Sequence, residues 1–225
     1  MDKKHNLRTK IKKIMKKTIY LTLLLSAICV NTFSQSGKKL NDNEKQVFEQ
    51  KIIEQSKNIK TLHCTFVQEK TSVLVSQKAV AKGVMFYQSP SMLRWEYTEP
   101  TPSTLILNGN NAVLFNKDGK KIGNEKVLKQ LGGIIISMIN GNGIAQNKQF
   151  SLEIYEFDNA HLLIVLTPVQ KRLKDFYNKI ELKIDRKTML ATTITLDEKS
   201  GDKTVISLIN TILNSNIPQN KFAIQ

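Results

Sequence analysis

Between residues 83 and 100 an apolar run at 84–87 and a strictly alternating stretch at 93–98 predict two strands joined by a turn at 88–91. Pro90 sets that turn, because its ring fixes φ near −65° and leaves no N–H for a ladder, so one strand ends before it and the next begins after it. Beyond the turn Leu93, Trp95 and Tyr97 share one face and Arg94, Glu96 and Thr98 share the other. Pro100 and Pro102 close the unit. The first face carries more large apolar surface than a strand pair hides by itself, so a second layer is expected over it.

The same reading extends along the chain. Asn41, followed three residues later by Glu44, has the form of a capping box, and Phe48, Ile52, Gln55 and Ile59 fall on one helical face. Residues 62–68 switch to period two with Leu62, Cys64 and Phe66 together and His63 opposite. Segments 73–76 and 79–87 continue as strands, the second with Ala81 and Gly83 where a large side chain would block close approach. Residues 103–108 and 112–115 form a predicted hairpin around Asn108-Gly109, and Lys117-Asp118-Gly119 predicts another turn. At 127–140 the period becomes helical: Val127, Leu128, Leu131, Ile134, Ile135, Met138 and Ile139 recur at spacings of three and four, although Gly132 and Gly133 each weaken a helix by roughly 1 kcal/mol relative to Ala. Gly141 and Gly143 supply the stop. A helix this apolar and this poorly reinforced needs an apolar surface to lie on and is displaced at modest cost. The C-terminal part predicts strands at 150–157, 162–167, 179–184, 189–196 and 204–213, a spacing that indicates an antiparallel meander in one domain.

The N-terminus changes the picture of charge. Residues 3–17 are basic, the thirteen residues 18–30 are mostly apolar, and Thr32-Phe33-Ser34 places small residues before a cut at Gln35. That order predicts a secretory signal peptide over 1–34 and a mature domain over 35–225. Met15-Lys-Lys-Thr would by itself make a compact signal start. The apolar run falls short of the roughly 20 residues of a membrane span. Cys29 raises the alternative of a lipid-modified cysteine, but Ile28 is bulky where such signals want a small residue. The leader holds eight of the 34 Lys and Arg and one of the 19 Asp and Glu, so the formal charge falls from +15 to +8 without it. The remaining lysines are dispersed, with small clusters at Lys117, Lys120, Lys121 and at Lys171, Arg172, Lys174, and lack the interleaved aromatics of a nucleic-acid module. Cys64 alone would remain as a thiol.

Catalytic signatures are missing from the sequence. His63 and His161 are the histidines left after the leader, and no nucleophile elbow, zinc-protease motif or phosphate-cradling glycine loop occurs. Neither the histidines nor the cysteine have metal-ligand spacing. Glu96 with Glu99, and Glu153 with Glu156, fall on opposite faces of a strand and so do not form working pairs. No enzyme activity, metal or cofactor is expected.

The order Phe66-Val-Gln68, Gly83, Pro90 with Leu93-Arg94-Trp95, Pro100 and Leu107-Asn-Gly109 resembles the periplasmic lipoprotein carriers of the LolA family. Leu166-Thr-Pro168, the strand ending at Asp185, and Asn214-Ser-Asn216-Ile-Pro218 followed by Phe222 are similar to the closing pattern of that family. The resemblance implies a mainly β, α+β fold: an incomplete antiparallel β-barrel of about eleven strands with a helical lid. It implies a soluble, monomeric periplasmic shuttle that takes acylated lipoproteins from an inner-membrane ABC exporter and delivers them to an outer-membrane acceptor. Met85, Leu93, Trp95 and Tyr97 would then line a lipid-binding cup, and Leu131, Ile134, Ile135 and Met138 would come from the lid. On that reading a glutamate at Leu93 is expected to spare the fold and impair cargo transfer.

The sequence departs from the family at Ser89, where well-studied carriers place an arginine thought to hold the lid shut; Arg94 is a candidate lid or partner contact in its stead, although its parity points it away from Trp95. The chain also stops soon after Phe222, without the extension that some carriers add. Two other roles fit the same cup: a LolA-like lipid-binding sensor that signals to a regulatory partner, or an outer-membrane lipoprotein receptor anchored through Cys29.

Overall fold

A computed structural model describes residues 37–123, 125–139 and 148–224, apart from the side chains of residues 126, 127, 130 and 131. The predicted leader with Cys29, the glycine stop at 141–143 and the Leu131 side chain lie outside the described residues.

The first helix, α1 (Asp42–Lys57), starts where its cap predicts: Glu44 N donates to Asn41 Oδ1 and Asn41 N donates to Glu44 Oε2, both at 2.9 Å. Its buried face is Phe48, Ile52 and Ser56, a strict four-residue stride. Gln55, expected on that face, is exposed, and Ile59 is buried just after the helix has ended.

Eleven strands form one antiparallel sheet. They are β1 (Thr61–Ser72), β2 (Val75–Gln88), β3 (Met92–Glu99), β4 (Ser103–Asn108), β5 (Asn111–Phe115), β6 (Lys121–Ile122), β7 (Phe150–Glu156), β8 (His161–Pro168), β9 (Tyr177–Asp185), β10 (Ala191–Glu198) and β11 (Lys203–Leu213). The order β6-β5-β4-β3-β2-β1-β11-β10-β9-β8-β7 makes two meanders joined through the β1–β11 pair, with β6 and β7 left as edges. The result is the incomplete barrel that the resemblance implies. Between those two edges in the chain runs α2 (Glu125–Ile139). A short helix, α3 (Lys171–Lys174), links β8 to β9, and a 3₁₀ turn at Gln219–Phe222 lies against β3 and β4.

Some boundaries correct the sequence reading. Val73 and Leu74 are the turn of a long β1–β2 hairpin rather than part of a separate strand at 73–76; an apolar turn is indistinguishable from a strand by alternation alone. Met189 has φ 56°, which ends the turn after Asp185 and delays β10 to Ala191. The two-residue β6 and the four-residue α3 are too short to leave a periodic signal.

Two apolar clusters fill the concave side. One gathers Leu62, Phe66, Met85, Tyr87, Leu93 and Trp95 from β1–β3 with Leu107 and Ala112. The other gathers Ile154, Ile164, Leu182 and Ile184 from β7–β9 with Phe48 and Ile52 of α1. Helix α2 touches both: Leu128, Ile135, Ile136 and Ile139 pack on the first, Ile134 and Met138 on the second. Its two glycines do different things. A Cβ at Gly132 would collide with the Leu107 side chain, so the bare backbone lets α2 approach β4, whereas a Cβ at Gly133 meets nothing within 4 Å. Gly133→Ala is therefore expected to stabilise α2 by about 1 kcal/mol, since it removes the conformational freedom of glycine at no steric cost. Gly132→Ala should instead loosen α2 from β4. Amide exchange along α2 measures both, and slowing of exchange by Gly132→Ala would contradict this packing.

Candidate functional site

The two clusters do not merge, and an apolar cavity lies in the seam between them. Its closed interior is about 50 Å³, well below the roughly 300–1,000 Å³ common for ligand pockets. Cys64, Met85 and Trp95 form one wall, Leu182, Ile184 and Ile194 the other, and Ile135, Met138 and Ile139 of α2 form the cover. No charged side chain among the described residues lines it. Gln55 and Thr211, both exposed, mark its polar edge, and Ser56 turns its hydroxyl back to donate to Ile53 O at 2.8 Å. Among the described residues the polar side chains of the lining are confined to this edge.

The strand period explains this wall. Cys64 and Met85 are register partners across β1 and β2, and Met85 and Trp95 across β2 and β3, so three inward side chains lie in one row. Behind the row Phe66 stacks on Trp95 with centroids 4.4 Å apart and meets Tyr97 edge-on at 5.2 Å. Gly83 makes room for this, because a Cβ there would run into the Phe66 ring and Glu96 O. Burial pushes the Cys64 thiol up to about 12. Three of the six methionines of the chain, Met85, Met138 and Met189, line the cavity, and their unbranched thioethers adapt to irregular occupants. The closed seam has room for only a few waters, so an extended occupant must part the walls.

Of the residues singled out by sequence, Met85, Trp95, Ile135 and Met138 line this cavity. Leu93 is 0% exposed and lies in the packed body of the first cluster. Tyr97 packs beside that cluster, and its hydroxyl donates to Gln68 Oε1 at 2.9 Å. Ile134 rests on the second cluster. The second wall, β9 and β10 with Leu208 of β11, escaped the sequence reading although Leu182 and Ile184 alternate plainly; nothing local says that two inward faces oppose each other.

Arg94 is on the convex side, away from the cavity. Its Nε donates to Glu96 Oε2 at 2.6 Å and its Nη1 to Lys221 O at 3.3 Å. Asn108 Nδ2 donates to Phe222 O at 3.1 Å, and the Lys221 ammonium lies 5.0 Å from the Phe86 ring centre. These contacts strap the C-terminal segment over β2–β4, with Phe222 buried at 1% exposure. The candidate lid contact at Arg94 is thus a strap contact, because strand parity sends its side chain through the opposite face of the sheet from Trp95.

A family model described as outer membrane lipoprotein carrier protein LolA matches residues 57–225. Among solved structures, the chain is similar to a LolA superfamily protein from Nitrosomonas europaea (13% identity, TM-score 0.45, covering 78% of this chain and 97% of that one). It is also similar to the lipoprotein LppX of Mycobacterium tuberculosis (13%, 0.44, 79% and 99%). A third likeness is to the MucA/MucB complex of Pseudomonas aeruginosa (9%, 0.49, 80%), where the chain spans 61% of the matched protein. Among curated proteins there is no match.

Proposed function

The chain belongs to the LolA family of outer membrane lipoprotein carrier proteins, and from that premise we propose that it is a periplasmic carrier that holds lipoprotein acyl chains in the seam. The protein takes cargo from an inner-membrane ABC exporter, shields the lipid and passes it to an outer-membrane acceptor; it binds and releases without making or breaking bonds. Residues 1–34 act as its cleaved leader.

The observation that carries this reading is an uncharged cavity between two separately packed clusters, covered by a helix with two glycines. Burying a methylene contributes about 0.8 kcal/mol, so a chain of roughly fifteen methylenes contributes on the order of 12 kcal/mol before losses. Lifting Ile135, Met138 and Ile139, each partly buried, costs at most about 1.5–3 kcal/mol apiece. Acyl entry outweighs displacement of these three side chains while Leu128 and Ile136 keep α2 anchored, and no directed hydrogen bond is required.

The test uses protein beginning at Gln35, in which Cys64 is the single thiol. It is mixed with inner-membrane vesicles containing its own exporter, ATP and an acylated lipoprotein. The lipoprotein is expected in the soluble fraction bound to the protein. Cys64, already slow toward maleimide because its thiol is pushed up to about 12, should become slower still in the complex. Absence of release, or release with unchanged Cys64 reactivity, would overturn the assignment; capture of a non-acylated regulator in place of lipoprotein would favour the sensor role.

A further inference from the structure

Three loops that are distant in sequence meet at one end of the sheet. Ser72 Oγ and Val73 N, at the β1–β2 tip, donate to Asp202 Oδ1 at 2.9 and 3.2 Å, which ties that tip to the β10–β11 turn. Lys199 N in turn donates to Phe176 O at 2.9 Å, which ties the turn to the β8–β9 connection that contains α3. Five of the eleven exposed large apolar side chains among the described residues belong to these loops or the strand end beside them: Val73, Leu74, Val75, Val169 and Phe176. Leu74 is 90% exposed and Phe176 59%.

The unpaired charge around these loops is mostly positive. Lys171, Arg172, Lys174, Lys199 and Lys203 are exposed, and none of the five has an ion-pair partner among the described residues. The carboxylates nearby are mostly engaged within the fold: Glu198 and Asp202 both bind Lys70. Asp175 is the exposed carboxylate in the α3 loop. Packing does not need Leu74 or Phe176 to be apolar, because neither is covered, whereas Leu173 between them in α3 is buried at 3% and secures the loop. Apolar tips ringed by unpaired cations match the layering of an anionic bilayer, with phosphate at the level of the ammonium groups and acyl chains beneath.

We propose that this end of the protein docks on an anionic phospholipid bilayer, with Leu74 and Phe176 entering the headgroup–acyl boundary and the lysines around α3 contacting lipid phosphates. The inference stands on the surface of the empty protein and does not depend on cargo in the seam. Each cation near an anionic surface contributes roughly fivefold to the partition, and the contribution fades with added salt.

Flotation of cargo-free protein beginning at Gln35 with vesicles of phosphatidylcholine, alone or with about one third phosphatidylglycerol, tests it. Binding is expected to the anionic vesicles and not to the neutral ones. The double variant Leu74→Ser, Phe176→Ser should lose at least about tenfold, and Lys171→Glu with Lys174→Glu at least about twentyfold. Lys117→Glu with Lys120→Glu, a basic pair outside these loops, should change binding less than about twofold. In Leu74→Trp the added indole should shift its emission to the blue on anionic vesicles. All of these positions are exposed, so the variants are expected to fold. No binding to anionic vesicles, equal binding to neutral ones, or equal losses from the Lys117 and Lys171 pairs would overturn the proposal; binding to a membrane protein and not to protein-free vesicles would do the same.

Discussion

Leu93→Glu is expected to abolish folding. Leu93 is 0% exposed, with Tyr87 and Leu107 as its direct cross-strand partners on β2 and β4. In the same cluster lie Ala112 and the Leu128 and Ile136 side chains of α2, with no cation and no free donor among the described residues. A carboxylate placed there loses its hydration and gains no partner, which costs several kcal/mol even after relaxation, in addition to about 2–5 kcal/mol for the lost leucine. Single domains are stable by only about 5–15 kcal/mol, so this one change consumes most or all of the margin. Leu93→Ala should remain folded at a cost of about 2–5 kcal/mol, and Leu93→Met should cost less than about 1.5. Urea unfolding followed by circular dichroism measures the series. A Leu93→Glu protein with a cooperative transition near that of the parent would show that the site is open to water.

That expectation reverses the one implied by the resemblance, which places Leu93 in the wall of an open cup. Period two tells which face a side chain takes, and it places Leu93 with Trp95 correctly. It says nothing about depth. Leu93 lies where α2 is packed down on β3 and β4, while Trp95, two residues along the same strand, reaches the seam. The same distinction governs Ile134 and Ile135, neighbours on α2 that rest on different clusters, of which Ile135 alone meets the cavity.

Local chemistry was legible where its partners are local. The Asn41–Glu44 cap, the Pro90 turn and the Asn108-Gly109 hairpin each follow from a few adjacent residues and are found in place. Arg94 shows the opposite case: its outward direction follows from parity, but its acceptor, Lys221 O, is 127 residues away. The second wall of the cavity is of that kind too. The sequences of β8, β9 and β10 announce strands with one buried face, yet only the meander turning back at β1–β11 brings that face opposite Met85 and Trp95.

Ile194→Glu should separate a cavity that receives acyl chains from a seam that merely closes. Ile194 packs against both clusters and lines the cavity, facing Leu182 and Ile206 across its two ladders. In the empty protein the position is only partly buried, so a glutamate keeps some hydration there and the variant should fold with a loss of about 1–3 kcal/mol. An entering acyl chain removes that water. The carboxylate must then be buried charged or take up a proton, and affinity for a triacylated lipopeptide should fall about 100-fold near neutral pH, equivalent to roughly 2.7 kcal/mol. The sign with pH follows from linkage: the carboxyl pKa is higher in the loaded state than in the empty one, so loading takes up a proton and affinity recovers as pH falls toward the usual glutamate value of about 4.3. Wild type and Ile194→Gln, which have no titrating group there, should show no such recovery. Thr193→Glu, one residue away on the opposite face and across from Lys183, should bind as wild type does. Tight binding by Ile194→Glu near neutral pH, or an equal loss in Thr193→Glu, would mean that the lipid lies elsewhere. A pH-dependent loss confined to Ile194→Glu would place the acyl chain between the two clusters, since a proton is taken up only where entering hydrocarbon has displaced the water around that carboxyl.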